Sequence, residues 1–476
     1  MTAFIRRLAL PALATLAAAL VAAGPAQAHG LVGKQDLPIP KWLFAWAAFA
    51  VLVISFVGLA TLWRTPRFAE LREQATLRLP AFLEPLCGLI GILIFSGVIY
   101  AGFAGTDESA ANVVPTSIYV IFWVGIPILS LLFGDVFRAF NPWRAVGRAA
   151  GWVMGRVAGD GPEPVAYPDR LGYWPAAAGI FGFAVLELAI PVTDRQDPST
   201  LAVLGLIYAA VQLVGMALFG VKAWSDRGDA FGVYFGLFAT LSPLRWTGRQ
   251  LVRRPLLAGT ATLVPAAGLV GLICVMIGST SFDGFTASSL WTDTFAVPLQ
   301  GRFVDAGFSR EHANTLVFTG GLIAMTGVIS ALYLLGCAGM KSAITGGTDS
   351  TTELAKRFAP TLIPIALAYV VAHYFGLLSY QGQAMAYLLS DPLGDGSDYL
   401  GQADYRIDYT WISATAIYYV QVVALIAGHA AGLALAHDRA LLSFSSVRTA
   451  TRSQYWMLAV MVAFTSLALW LLSNSS

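Results

Sequence analysis

Leu86–Ala104, which reads LCGLIGILIFSGVIYAGFA, contains no charged side chain. A helix of roughly 20 apolar residues spans the hydrocarbon core of a bilayer, so this stretch predicts a transmembrane helix. The sequence therefore predicts an all-α, polytopic transmembrane helical bundle of about ten helices. The other nine apolar stretches are Trp42–Trp63, Val114–Phe133, Trp174–Ile190, Leu201–Phe219, Gly259–Ile277, Asn314–Gly336, Pro360–Tyr380, Ile412–Leu435 and Gln454–Leu472.

The composition of the 476-residue chain supports this prediction. Hydrophobic residues make up 57% of the chain and charged residues 12%, whereas about 25% is usual for charged residues in a soluble domain. The deficit of charge extends along the whole chain, so lipid is the expected solvent and the bilayer the main partner. No basic tract suggests a nucleic-acid partner.

The N-terminus has the layout of a secretory signal. Arg6 and Arg7 precede the apolar stretch Leu8–Ala23, and Ala26-Gln27-Ala28 forms a small-x-small cleavage site. We therefore expect residues 1–28 to be removed and residues 29–476 to form a single polytopic membrane domain. An uncleaved first anchor is the alternative.

The basic residues predict the orientation of the chain. With the mature N-terminus outside the cytoplasm, the inner loops contain 21 Lys and Arg residues and the outer segments contain six. This asymmetry follows the positive-inside rule, and it favours a multi-pass protein of the inner (cytoplasmic) membrane.

Several segments between the predicted spans have distinctive compositions. Phe231–Leu241 is apolar but too short to span, which predicts an interfacial or re-entrant piece. Asn141–Arg144 and Tyr167–Trp174 have the composition of interfacial anchors. Two outer loops are long, Gly278–Ala313 and Gln381–Trp411. The second loop is rich in Asp, which favours a solvated loop over a cation-binding one.

Ionisable residues inside a membrane are costly, so they are candidates for function. Glu187, Asp283, His312 and His373 all fall in the outer half of the predicted bundle, and His29 would join them as the new N-terminus. Histidine and carboxylate together suit zinc, copper, iron or manganese. A shared divalent-metal site is one interpretation; ordinary helix pairing, capping and packing roles are the other.

Further residues extend this interpretation. Gln381 and Gln383, at the end of the predicted eighth helix, are placed to orient a ligand or bind a leaving group. The amine and imidazole of a free N-terminal His29 would suit copper. His373 and His429 lie on consecutive helices but differ in depth by about 10 Å, so no haem is expected.

The chain resembles a family of bacterial membrane proteins described as fenitrothion hydrolases, which act on organophosphorus triesters. The resemblance implies a membrane hydrolase with a small, lipophilic substrate, for which a metal-bound hydroxide would be a suitable nucleophile. The alternatives are a transporter or permease, a copper-handling protein, and a subunit that needs a membrane-protein partner. The matching stretches are His29–Ala47, Asn141–Ala145, Tyr167–Ala176, Ala368–Gln383 and Gly428–Leu441.

Overall fold

The computed structural model describes residues 41–68, 73–157, 163–343, 349–444 and 446–474. The predicted signal (residues 1–28) and His29 lie outside the described residues.

Within the described residues, ten long helices form the body of the bundle, and each corresponds to one of the ten predicted stretches. Their bounds are α1 Lys41–Leu62, α2 Leu83–Ala104, α3 Val113–Phe133, α4 Trp174–Leu188, α5 Pro198–Phe219, α6 Leu269–Thr286, α7 Arg310–Ser342, α8 Ile363–Gln381, α9 Ala414–Ser443 and α10 Val447–Asn474.

Length and composition distinguish nine of these ten helices. Seven helical segments, which contain α2, α3 and α5 to α9, are long and apolar enough to cross a bilayer, whereas the apolar parts of α1 and α4 are shorter. The fold is a helical bundle that fits an integral membrane protein. The number of ten spans stays a prediction.

Shorter helices connect the long ones. They are Val136–Phe140, Pro142–Val157, Val192–Arg195, Val221–Arg227, Ala230–Ala239, Val297–Asp305, Thr351–Phe358 and Met385–Ser390, with 3₁₀ turns at Ala258–Thr262, Ala359–Leu362 and Gly382–Ala384 and a π-helical segment at Leu290–Ala296. Much of the predicted loop Gly278–Ala313 is therefore helical. Ala230–Ala239 packs in the core, with Tyr234, Phe235 and Phe238 buried. This burial does not fit a helix that lies on the membrane surface, and the re-entrant alternative for Phe231–Leu241 stays a prediction.

Helix α6 differs from the predicted Gly259–Ile277. Gly268, just before the first residue of α6, adopts a left-handed conformation with φ +78°. Such a residue interrupts a right-handed helix, so the apolar stretch before it cannot belong to α6. The helix extends instead to Thr286, which places Asp283 within its last turn rather than after it.

A small antiparallel sheet is present that the all-α prediction did not include. Its strands are β1 Gln74–Arg78, β2 Leu244–Thr247 and β3 Gln250–Arg253, in the order β1-β3-β2. A two-residue turn with Gly248 at φ +56° joins β2 to β3, and glycine adopts this conformation without steric cost.

The bundle has two ends of different character. We call one the sheet end, because it contains the sheet. At the opposite loop end, residues 105–112, 189–197 and 382–413 contact one another. Thr106 N donates to Leu393 O at 2.7 Å, and Ser109 Oγ donates to Gln196 O at 2.9 Å.

The predicted interfacial anchors have internal partners instead. Asn141 Nδ2 and Trp143 Nε1 each donate to Asp229 Oδ2 at 2.7 Å. Arg144 pairs with Glu84 at 3.0 Å. The anchor interpretation of Asn141–Arg144 was therefore wrong, because these side chains fasten neighbouring elements together.

Candidate acid–base site

Three helices bring polar side chains together in the loop-end half of the bundle. Glu187 lies one residue before the end of α4, Asp283 lies in the last turn of α6, and His373 and Tyr374 lie on α8. Helix α6 packs against both α4 and α8. These four residues form what we call the acid–base cluster.

Hydrogen bonds join the cluster through a single carboxylate oxygen. His373 Nε2 lies 2.8 Å from Asp283 Oδ2, and the Tyr374 hydroxyl donates to the same oxygen at 2.8 Å. The Tyr374 oxygen also lies 3.4 Å from Glu187 Oε1. Because a phenol has one proton, it cannot donate to both carboxylates at once.

The cluster is reached from outside the bundle. The side chains of His373 and Asp283 are 28% and 22% exposed, whereas Tyr374 is buried. A small molecule or water can therefore contact the imidazole and the carboxylate, while the phenol is held by packing.

Arg195 provides a positive charge beside the two carboxylates. Its guanidinium donates to the backbone oxygen of Glu187, and it acts electrostatically on both Glu187 and Asp283. The Tyr119 hydroxyl donates to the backbone oxygen of Arg195 at 2.8 Å. This contact ties the Val192–Arg195 segment to α3.

Helix α3 contributes an aromatic wall near the cluster. Its Ser117–Gly125 segment is π-helical and contacts α8, and such segments frequently occur at functional sites. Trp123 from this segment stacks on Tyr234 with ring centroids 4.8 Å apart. Phe183 packs on the same indole at 4.7 Å. Trp123 and Tyr234 are buried by this packing, so the wall is part of the apolar core.

The remaining predicted site residues lie elsewhere. His312 is exposed in the first turn of α7, where its Nδ1 lies 2.7 Å from Ser309 Oγ. Gln381 is the last residue of α8. Gln383 accepts from Tyr405 OH and from Asp408 N at 3.0 Å each, so it fastens the Asp-rich loop. The predicted ligand His29 lies outside the described residues.

The carboxylates of that loop bind its own backbone. Asp391 accepts from the backbone nitrogens of Asp395 and Gly396. Asp398 accepts from the hydroxyl of Ser390, and this bond holds the pKa of the carboxyl below its usual value. The contacts favour the interpretation of this segment as an ordered, solvated loop.

The predicted divalent metal needs several donors that converge on one point. Among the described residues, no group of three or more His, Cys, Asp or Glu side chains could hold a metal ion. His373 Nε2 and Asp283 Oδ2 bind each other, which is the contact of an oriented imidazole. The described donors thus do not fit a metal centre, although the metal stays a prediction for the chain as a whole.

His429 occupies a separate, buried position on α9. Its Nδ1 lies 2.7 Å from Leu425 O, and its ring centroid lies 6.0 Å from that of Tyr369. Tyr369 is one helical turn before His373 on α8. His429 therefore packs about one helical turn of α8 away from the acid–base cluster and does not belong to it.

Tyr374 is the member of the cluster that the sequence analysis missed. A tyrosine in an apolar helix is an ordinary packing residue, so its residue type alone does not indicate a functional role. The available indication was its position directly after His373.

No family model, curated protein or solved structure matches this chain.

Proposed function

We propose that this chain is a multi-pass membrane hydrolase that acts on small lipophilic phosphorus triesters, with His373 as the general base. The main observation in support is the 2.8 Å hydrogen bond between His373 Nε2 and Asp283 Oδ2 at a partly exposed position. The substrate class is the one implied by the resemblance to fenitrothion hydrolases.

The dyad gives His373 a defined chemical role. When Nε2 donates its proton to Asp283, Nδ1 is the basic nitrogen. A water bound to Nδ1 gives its proton to His373 as its oxygen forms a bond to phosphorus. The bond from phosphorus to the aryl oxygen breaks, and the phenolate leaves with the electron pair. Asp283 stabilises the imidazolium, as carboxylates do in other hydrolases.

Tyr374 and Glu187 position the dyad. Two ionised carboxylates in apolar surroundings repel each other, and such a pair is stabilised by sharing a proton. A protonated Glu187 would donate to the Tyr374 oxygen, and Tyr374 would donate to Asp283. This arrangement leaves a single negative charge on Asp283 to hold His373.

The location of the site suits substrates that partition into lipid. Positive-inside asymmetry places the basic sheet end on the cytoplasmic side. The acid–base cluster then lies towards the outer face of the inner membrane. We expect a neutral triester to reach this depth from the bilayer.

The test is turnover of fenitrothion and paraoxon by the full mature chain in detergent. We expect His373→Gln to lower kcat about 100-fold, the lower range of general-base contributions. His312→Gln, at an exposed position outside the cluster, is the control and should retain activity. No turnover by folded wild-type protein would refute the hydrolase proposal.

Chelation distinguishes the proposed base from the predicted metal. Turnover that persists after exhaustive chelation supports His373 as a base that acts without a metal. A stoichiometric metal whose removal abolishes turnover would contradict that role and restore the metal prediction.

A proton-coupled transporter is the second candidate. The observation that favours it is the shared hydroxyl between Glu187 and Asp283, since proton-sharing carboxylates inside membrane helices are typical of proton pathways. In proteoliposomes it predicts uptake of the triester driven by a pH gradient, without hydrolysis. Turnover without gradient dependence would exclude this candidate.

A further inference from the structure

The small sheet presents an apolar face that the bundle does not cover. In the ladder, Leu251 pairs with Leu77 on one side and with Trp246 on the other. Side chains of paired residues point to the same face of a sheet, so these three form one continuous patch. Leu77 is 54% exposed and Trp246 is 37% exposed. We call it the sheet patch.

The sheet is fixed against the end of α3. Trp246 Nε1 donates to Phe133 O at 3.0 Å. A side chain at Gly134 would come within 2.8 Å of Leu244 O, so the backbone of β2 lies directly on this turn. Leu132 and Phe133 are exposed beside it. The sheet patch therefore continues the apolar surface of a helix that is long enough to cross a bilayer.

Three arginines of the sheet and its turn have exposed side chains. Arg253 lies two residues after Leu251 and therefore on the same face, Arg249 lies in the turn, and Arg78 pairs with Gln250 at the edge strand. Arg249 Nε donates a hydrogen bond to Leu79 O at 3.0 Å. Two other arginines in this region, Arg245 and Arg254, have partners within the protein. Arg245 pairs with Glu73 at 2.8 Å, and buried Arg254 donates to backbone oxygens.

We propose that the sheet is an interfacial element that binds the negatively charged head groups of anionic phospholipids. Exposed leucine and tryptophan at the end of a membrane helix suit the boundary between head groups and acyl chains. Guanidinium groups bind phosphate oxygens with paired, charge-assisted hydrogen bonds. The sheet patch, the end of α3 and the exposed arginines occur together at one end of the bundle. This combination favours a lipid surface over a protein partner.

The first experiment measures binding of short-chain phosphatidylglycerol and phosphatidylcholine to the purified full chain. An arginine near an anionic surface contributes roughly a factor of five in affinity. The triple variant Arg78→Gln, Arg249→Gln and Arg253→Gln should therefore bind phosphatidylglycerol about 100-fold more weakly. Binding of phosphatidylcholine should change little.

A matched triple variant removes the same charge at the loop end: Arg302→Gln, Arg310→Gln and Arg406→Gln, all exposed. It should keep the affinity of the wild type for phosphatidylglycerol. Equal losses in the two triple variants, or equal binding of the two lipids by the wild type, would overturn the proposal.

The second experiment locates the sheet patch. A fluorophore is attached at Leu77→Cys and, separately, at Thr247→Cys, an exposed residue that the ladder pairs with Gln250 rather than Leu251. In nanodiscs, brominated lipids should quench the label at position 77 strongly and the label at position 247 weakly. Equal or reversed quenching would overturn insertion of the patch. Quenching lost on addition of another protein would indicate a protein partner.

Discussion

Two acidic sites inside the bundle have opposite surroundings. Asp229 is fully buried and accepts hydrogen bonds from Asn141, Trp143 and Tyr208, each at 2.7 Å, and from Gly232 N at 3.1 Å. Asp283 and Glu187 share one tyrosine hydroxyl, and His373 bonds to Asp283 alone; Asp283 is partly exposed.

The difference separates a structural acid from a chemical one. A carboxylate that is enclosed by donors has no capacity left for a ligand, and it rigidifies its surroundings. A pair with too few donors, open to the outside, must share or exchange protons. Burial of a carboxylate alone therefore does not identify a functional site. The number of hydrogen-bond donors around the carboxylate and its exposure to the outside do.

The largest effect should follow from removal of the enclosed acid. Asp229→Ala leaves three side-chain donors without an acceptor, and we expect a loss of about 3 kcal/mol or more of stability. The measurement is the midpoint of unfolding in detergent. Asp169→Ala, which removes a solvent-exposed carboxylate paired with Arg227, is the control and should cost less than about 0.5 kcal/mol. Similar losses would show that the donors around Asp229 do not stabilise the fold.

The second effect should be chemical rather than structural. Asp283→Asn removes the charge that orients His373, and kcat should fall about 100-fold, or about 2.7 kcal/mol in the barrier. The unfolding midpoint should stay close to that of the wild type. Asp293→Asn, at an exposed position on the next segment, is the matched control and should keep its activity. A folded Asp283→Asn protein with full turnover would assign Asp283 to structure, like Asp229.

Asp135 offers an intermediate case outside the spans. Burial raises its pKa to about 6, although Arg138 opposes the shift. Because the folded pKa exceeds the unfolded value, stability is lost as pH rises from about 4 to about 6, and the penalty persists above that range. Asp135→Asn should therefore unfold at a higher temperature than the wild type at pH 7 and at the same temperature near pH 3. A constant difference at all pH values would contradict this origin.

The smallest effect concerns an exposed ion pair at the sheet end. Arg138 and Asp226 lie 2.7 Å apart with both side chains about one-third exposed. Arg138→Gln should cost about 0.5 kcal/mol, and the cost should shrink in high salt. The comparison with Asp229→Ala, by the same unfolding measurement, tests whether burial rather than charge controls stability here. A cost above about 2 kcal/mol would contradict it.

The sequence predicted the ten long helices because each must bury its backbone polar groups within itself. That requirement produces long apolar stretches, which are visible without any structure. Prediction from apolar stretches fails where local backbone geometry sets the start of a helix, as at Gly268 before α6. It also fails for short strands of mixed polar and apolar residues, such as β2 and β3.

The candidate site was predicted only in part. The cost of charge inside lipid marked Glu187, Asp283 and His373, and depth along each helix placed them in the same half. The same argument also selected His312, which the structure places on the exposed first turn of α7. Depth gives one coordinate of three, and the rotation of each helix about its axis is set by packing.

Sequence by itself therefore determined the approximate positions of the ten long helices, which loops are basic and which residues are costly in lipid. Only the tertiary structure decided that Tyr374 joins Asp283 to Glu187, that Asn141 and Trp143 enclose Asp229, and that Leu77 lies beside Trp246. The physical reason is that apolarity and charge belong to each residue alone. Hydrogen-bond partners instead depend on how elements far apart in the chain pack together.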